Sequence, residues 1–310
     1  MKCILITGGT GFIGINLTKK ILLSKKSSEY EIYILTRKNV ILLDKNDYKI
    51  FTRVKFIKGD ISNFESKIKF DEIYHLAYDT YTTNEFLKYS SKTIIDGLVN
   101  ITKICHQSNT KRLVFLSSGA VYENIKKESF KTNETLNFNL FNENNHYGIL
   151  KAASEQYLWS VFINTKTKLS IYRVFATMGP YMRLNGSFVI GNMINNLLKN
   201  KPISFNTDCK VFRNIIHIDD LVSKLIEPNK RENFTLENIV GKNVYLRDFL
   251  FQLSKREGFK IKFGNRNNIY RLTYAPFSKK DHFDDYYLFN SFHQTLNWFK
   301  KKKYIKLYTN

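Results

Sequence analysis

The chain has 310 residues, 43% hydrophobic and 15% aromatic, which suffices for one large α/β core and is too apolar for a disordered chain. Its 49 Lys and Arg against 27 Asp and Glu give a net charge of +22, but the basic residues run along the whole chain. They read as a compositional bias rather than a nucleic-acid footprint, and no nucleic-acid partner is expected. Three widely spaced cysteines (Cys3, Cys105, Cys209) exclude a disulfide framework and a cysteine-based zinc site, and no segment approaches the roughly 20 apolar residues of a membrane span.

In chain order, Lys2–Thr7 reads as a buried strand and Phe12–Leu23 as the helix after it. Further strands are expected at Glu31–Leu35, Val54–Ile57, Glu72–Leu76, Arg112–Leu116 and Leu169–Phe175. Helices are expected at Ser91–Ser108, where Ile94, Ile95, Leu98, Ile101, Ile104 and Cys105 recur at helical spacing, and at Tyr147–Phe162. Strands alternating with helices imply a parallel sheet covered on both faces. After residue 176 the rhythm breaks. Met178–Lys199 reads as a loop feeding a helix, and Lys210–His217 as a strand. Asp219 would cap a following helix, and Tyr245–Arg256 would form another. The aromatic, basic stretch Phe299–Lys306 is expected to be solvated and frayed rather than held to a membrane surface.

Gly8, Gly11 and Gly14 stand between the first strand and its helix. Glycine there permits a tight turn and lets backbone amides approach a pyrophosphate at the helix N-terminus. A dinucleotide cofactor follows. The second strand should end at the adenosine ribose. A carboxylate there would favour NAD, but the chain has Leu35-Thr36-Arg37-Lys38. Arg37 suits a 2′-phosphate and tilts the choice between NAD and NADP towards NADP. Asp60, after the third strand, is placed to accept from the adenine amino group.

Tyr147 and Lys151 are four residues apart on one helix and share a face. A phenol near its ordinary pKa of ~10 is a poor acid–base group at neutral pH. A neighbouring ammonium would lower that pKa and would also hold the nicotinamide ribose. The tyrosine would then move a proton to or from a sugar hydroxyl while hydride passes to the cofactor, with Ser118 donating a second hydrogen bond to the same oxygen.

Thr7–Gly14, His75-Leu76-Ala77, Ser117–Tyr122, Tyr147–Lys151 and Arg213–Leu221 together resemble the extended short-chain dehydrogenase/reductase family, in its NAD-dependent epimerase/dehydratase branch. The resemblance implies a Rossmann-type doubly wound parallel sheet over residues 1–176, with 210–240 returning to it. A smaller α/β substrate-binding lobe would comprise 177–209 and 241–310. It also implies a soluble cytoplasmic enzyme acting at C4 of a nucleotide-diphosphate sugar, as a 4-epimerase or a 4-ketoreductase or dehydrogenase. Catalysis would rest on Tyr147, Lys151 and Ser118. Cofactor contacts would come from Gly8, Gly11, Phe12, Ile13, Gly14, Arg37, Asp60, Ile61, Leu76, Ala77 and Lys151. Arg213 would bind the substrate diphosphate, and His217 and Asp219 would be structural. A homodimer would form through the Ser91–Ser108 and Tyr147–Phe162 helices.

The chain also departs from the branch. Gly119 and Ala120 stand where 4,6-dehydratases carry Asp-Glu, and the glutamate of UDP-glucuronate decarboxylases is missing, so both activities are disfavoured. Ala176 replaces a substrate-touching asparagine of many sugar epimerases. Glu123 replaces a glycine and Asn214 an aspartate. Gly179–Met182 and Gly186–Asn192 resemble a less characterised subgroup. The alternative is a non-catalytic dinucleotide-binding or RNA-binding protein on the same fold, for which an intact Ser/Tyr/Lys set would be superfluous.

Overall fold

A computed structural model describes residues 1–24, 26–77, 84–122, 131–138, 146–185, 188–227, 232–266 and 285–309. Glu123, Gly186 and Ser187 lie outside them. The first half runs β1 (Lys2–Thr7), α1 (Phe12–Leu22), β2 (Tyr30–Thr36), β3 (Val40–Asp44), α2 (Lys45–Phe51), β4 (Lys55–Lys58) and β5 (Glu72–His75). Then come α3 (Asn84–Ser108), β6 (Arg112–Ser118), α4 (His146–Phe162), β7 (Lys168–Val174) and β8 (Ala176–Met178). The remainder is α5 (Val189–Leu198), β9 (Ile203–Thr207), β10 (Phe212–His217), α6 (Ile218–Ile226), β11 (Phe234–Asn238) and β12 (Lys242–Tyr245). It ends with α7 (Leu246–Glu257), β13 (Ile261–Arg266), α8 (Asp285–Lys301) and β14 (Tyr304–Tyr308).

Seven strands form one parallel sheet in the order β11-β7-β6-β5-β1-β2-β4. The chain winds outward from β1 in one direction and then returns to wind outward from β5. The order therefore reverses between β1 and β5, and a ligand crevice is expected beyond the carboxyl ends of those two strands. Strand alternation splits the core. Ile4, Ile6, Ile32, Ile34 and Val114 face α1 and α6, whereas Leu5, Tyr33, Leu35, Leu113 and Phe115 face α3 and α4. A third apolar cluster joins β9, β10, α5, α7 and α8, with Met193, Leu250, Leu253 and Phe292 at its centre. There β12-β10-β8 form a small sheet and β13-β9 a parallel pair.

The expected strands and helices of the first 175 residues form, shifted by a residue or two at their ends, and α3 begins seven residues before the expected Ser91. Two expectations are corrected. Helix α6 is capped by His217, whose ring accepts from the Asp219 amide, and not by Asp219. The stretch after Phe299 does not fray: β14 pairs antiparallel with β3, a strand the sequence did not reveal. Among the described residues no helix is long and apolar enough to cross a membrane.

Candidate active site

The site is built where β1 and β5 end. Gly8 has φ +72°, a left-handed conformation natural to glycine, and the turn closes with the Gly11 amide donating to the Gly8 carbonyl at 3.0 Å. A Cβ on Gly8 would sit 2.8 Å from the Ala77 amide nitrogen, and one on Gly14 would sit 2.3 Å from the Gly8 oxygen. The missing side chains thus let the turn lie on the end of β5 and let α1 lie on the turn. Gly11 is the N-cap of α1, with no side-chain cap and no acidic residue in the first turn. This helix end offers backbone amides to an anion, as a dinucleotide pyrophosphate requires. Half-buried Phe12 and Ile13 pack the first turn onto the core. Gly14→Ala forces backbone atoms apart. The expected result is a loss of dinucleotide binding and about 1–3 kcal/mol of stability, measurable by calorimetric titration and thermal melting.

The ends of β1 and β5 are tied together. Thr7 Oγ1 lies 2.8 Å from His75 Nδ1 and accepts from the Ala77 amide at 3.3 Å, while the Leu76 amide donates to the Thr7 carbonyl at 3.2 Å. Burial, assisted by the Lys151 charge, pushes His75 down to about 3, so it stays neutral.

Beyond β2, the structure brings Arg37 and Asp60 together at 3.3 Å. Asp60 also accepts from the Ser62 amide at 2.9 Å and hydroxyl at 2.8 Å. The two residues expected to meet different parts of the adenosine thus form one pair. Ile61 packs against Gly97 of α3, where a Cβ would come within 2.9 Å of its side chain.

Helix α4 is stitched to three consecutive residues of β6. Lys151 Nζ donates to the Leu116 carbonyl at 2.8 Å. Ser117 donates to Glu155 Oε1 at 2.5 Å. Tyr147 stands beside Ser118. Tyr147, Lys151 and Glu155 follow at four-residue intervals and share one helix face. Arg173, opposite Ser117 on β7, clamps Glu155 through Nε at 2.9 Å and Nη2 at 2.6 Å. Its Nη1 donates to the Tyr122 hydroxyl at 2.6 Å and the Thr132 carbonyl at 3.0 Å. Glu155 belongs to no motif, and its place one turn beyond Lys151 is the signal in the sequence that points to it.

One electrostatic expectation is corrected. The phenol of Tyr147 does not fall below its ordinary value; burial pushes it up, and the Ser118 hydrogen bond only partly opposes this. Burial also brings Lys151, 3% exposed, down to about 7, with the Glu155 charge opposing. Below pH 7 this lysine is charged in both folded and unfolded chains, and its buried charge is a full penalty. Between about 7 and its ordinary 10.5 only the unfolded chain keeps the proton, so the penalty fades as pH rises. Lys151→Met should therefore raise the stability of the cofactor-free protein, most below pH 7, in melts across pH.

Arg213 lies on β10 opposite Val244, its Nη1 donating to the Phe212 carbonyl at 2.8 Å. A Cβ on Gly119 would lie 2.4 Å from the Phe175 ring, so this position accepts no side chain unless the ring moves. Ala176 is exposed at the start of β8.

Residues 4–227 match the family described as the NAD dependent epimerase/dehydratase family. The chain belongs to this family. It is 30% identical over 237 residues to a dTDP-D-glucose 4,6-dehydratase of Dictyostelium discoideum, covering 71% of this chain and 54% of that protein. It spans half to two thirds of the length of several curated relatives, plant UDP-glucuronic acid decarboxylases among them. Among solved structures, it superposes on the UDP-glucose 4-epimerase of Thermotoga maritima with TM-score 0.78 and 19% identity, over 96% of this chain and 99% of that one. On the UDP-glucuronic acid 4-epimerase of Bacillus cereus in complex with NAD, the TM-score is 0.72 at 22% identity, over 96% and 99%.

Membership places the chain in the NAD dependent epimerase/dehydratase family, in which matching relatives are named for dehydration of dTDP-D-glucose and decarboxylation of UDP-glucuronic acid. It also corrects the exclusions drawn from Gly119 and Ala120. Relatives of the epimerase/dehydratase family that match this chain include a 4,6-dehydratase and decarboxylases, so two departures in one stretch do not remove those activities.

Proposed function

We propose that the chain moves a hydride between C4 of a nucleotide-diphosphate sugar and NAD, as a 4-epimerase or a 4-ketoreductase. The observation that carries this reading is the placing of Tyr147 beside Ser118, on a helix whose Lys151 and Glu155 are hydrogen-bonded to the two preceding residues of the same strand. A sugar hydroxyl placed against that pair gives its proton to the Tyr147 oxygen, while Ser118 donates to the sugar oxygen and steadies the charge that builds there. NAD would supply the hydride acceptor and, in its cationic ring, a charge that favours the phenolate. Lys151, hydrogen-bonded to the Leu116 carbonyl, would hold the nicotinamide ribose and, when protonated, would lend its charge to Tyr147. Gly8, Gly11, Phe12, Ile13 and Gly14 receive the pyrophosphate. Arg37, Asp60 and Ile61 flank the adenosine, Leu76 and Ala77 the dinucleotide beyond β5. Arg213 pairs with the substrate diphosphate.

In this division residues 1–176, joined by 210–240, hold the cofactor, and 177–209 with 241–310 hold the substrate. The experiment is mass spectrometry of the cofactor released from purified protein, followed by assays with UDP- and dTDP-hexoses. Retained NAD with interconversion of C4 epimers supports the epimerase. Turnover that consumes added NADH or NADPH supports the reductase. No nucleotide-sugar turnover with either overturns the reading.

The assembly we propose is a homodimer through α3 and α4. Ile95 and Val99 on α3, Trp159 on α4 and Ile163 just after it, each pair four apart, are 51%, 36%, 38% and 41% exposed. A second copy of the same helix pair would cover this apolar face. Trp159→Glu is expected to halve the mass seen by light scattering; a wild-type monomer would contradict the assembly.

A further inference from the structure

The loop that ends β2 is fixed from two sides. From the sheet, Lys58 Nζ donates to the Arg37 carbonyl at 2.6 Å and to the Asn39 side chain. The Lys38 amide bonds the Thr36 hydroxyl at 3.0 Å. From outside, Thr309 closes the loop. Its amide donates to the Asn39 carbonyl at 3.0 Å and its hydroxyl to the Lys38 carbonyl at 2.5 Å, and the residue is 2% exposed. Thr309 directly follows β14, which pairs with β3 from Tyr308↔Val40 to Tyr304↔Asp44. A segment some 270 residues away in sequence thus sets the shape of Thr36–Asn39.

The far end of this ribbon is anchored too. Asp44 accepts from the Lys303 amide at 3.0 Å and caps α2 through the Asn46 amide at 3.0 Å. Tyr181 binds the same corner. Its hydroxyl accepts from the Asp44 amide at 2.9 Å and donates to Asp47 Oδ2 at 2.7 Å, and Asp47 pairs with Lys19 of α1 at 2.7 Å. The Tyr181 ring lies 4.6 Å from Trp298 of α8. Just before it, the Pro180 carbonyl accepts from Asn16 of α1 at 2.9 Å. Tyr181 has φ +68°, a strained conformation for a bulky residue that persists only where the surroundings over-determine it. Here they do.

In a sheet of this winding, the loop after the second strand meets the adenosine ribose. A loop already held in its bound shape pays less ordering entropy when the ligand arrives. We propose that Thr309 and Tyr181 are positioning residues for the adenosine end of NAD. Thr309 presets the loop Thr36–Asn39, and Tyr181 fixes the β3–β14 ribbon to the phosphate-turn helix and to α8. The proposal rests on the reading of the glycine turn as a dinucleotide site.

The test is calorimetric titration of the full chain with NAD and with ADP-ribose, at a temperature below the onset of melting of every variant. Thr309→Val should weaken both ligands about three- to tenfold, the range for one lost hydrogen bond. Thr309→Ser, which keeps the hydroxyl, should bind within twofold of wild type. Tyr181→Phe keeps the ring on Trp298 and loses the Asp44 and Asp47 bonds; it should weaken both ligands several-fold. Equal effects on NAD and ADP-ribose place the loss outside the nicotinamide ring. Wild-type affinity in Thr309→Val and Tyr181→Phe would overturn this inference and leave the dinucleotide site standing. A wild-type chain that binds neither ligand would overturn both.

Discussion

Tyr147→Phe lowers turnover of a nucleotide sugar about 10²- to 10⁴-fold, the usual worth of one positioned acid–base group, and leaves NAD affinity within about twofold. The reasoning is local. The phenol ring packs at the start of α4 and its hydroxyl faces Ser118. Phenylalanine keeps the ring and removes only the proton path. The phosphate turn and the ends of β1 and β5 do not involve that hydroxyl. Steady-state rates and NAD titrations on the same preparation check this, and a variant retaining more than about a tenth of wild-type turnover would sink the role given to Tyr147.

Glu155→Leu has the largest expected effect on stability. It strands the guanidinium of Arg173, 3% exposed, and removes the acceptor of the Ser117 hydroxyl. Breaking a buried pair from one side costs about 3–5 kcal/mol. For a chain of this size that is a fall in Tm of about 10 °C. The double variant Glu155→Leu with Arg173→Met should recover much of the loss, because apolar replacement of both members leaves no buried charge unpaired. Scanning calorimetry reads both. Additive losses in the double variant would mean that the pair is not the unit holding α4 to β6 and β7.

The parts of the site that were legible in the sequence are those coded by short-range spacing. The three glycines mark a strand–turn–helix junction whatever the rest of the fold does. Tyr147 and Lys151 share a face because a helix repeats every 3.6 residues. The parallel sheet covered on both faces followed from the alternation of apolar runs and amphipathic stretches. The β3–β14 ribbon was not legible, because its partners lie some 260 residues apart and neither strand has a pattern that names the other. The capping of α6 was misjudged because Asp219 is the commoner cap type, while the ring of His217 is placed for the task by β10. The raised pKa of Tyr147 depends on how deeply α4 sinks against β6, a tertiary quantity absent from the Tyr-x-x-x-Lys string. Exclusion of dehydratases failed for a related reason. Gly119 and Ala120 describe one stretch, and the outcome of a C4 oxidation depends on the whole pocket that receives the sugar.

The central claim is a hydride transfer at the sugar C4 carbon. It is tested most directly with UDP- and dTDP-hexoses carrying deuterium at C4, incubated in single turnover with the NAD-loaded protein. The account predicts a transient nicotinamide absorbance at ~340 nm, slowed by the label and absent in Tyr147→Phe, with deuterium on the nicotinamide ring while that absorbance lasts and back on C4 once an epimerase completes its turnover. Product formation with the deuterium still on the sugar and no reduced cofactor at any time would contradict it.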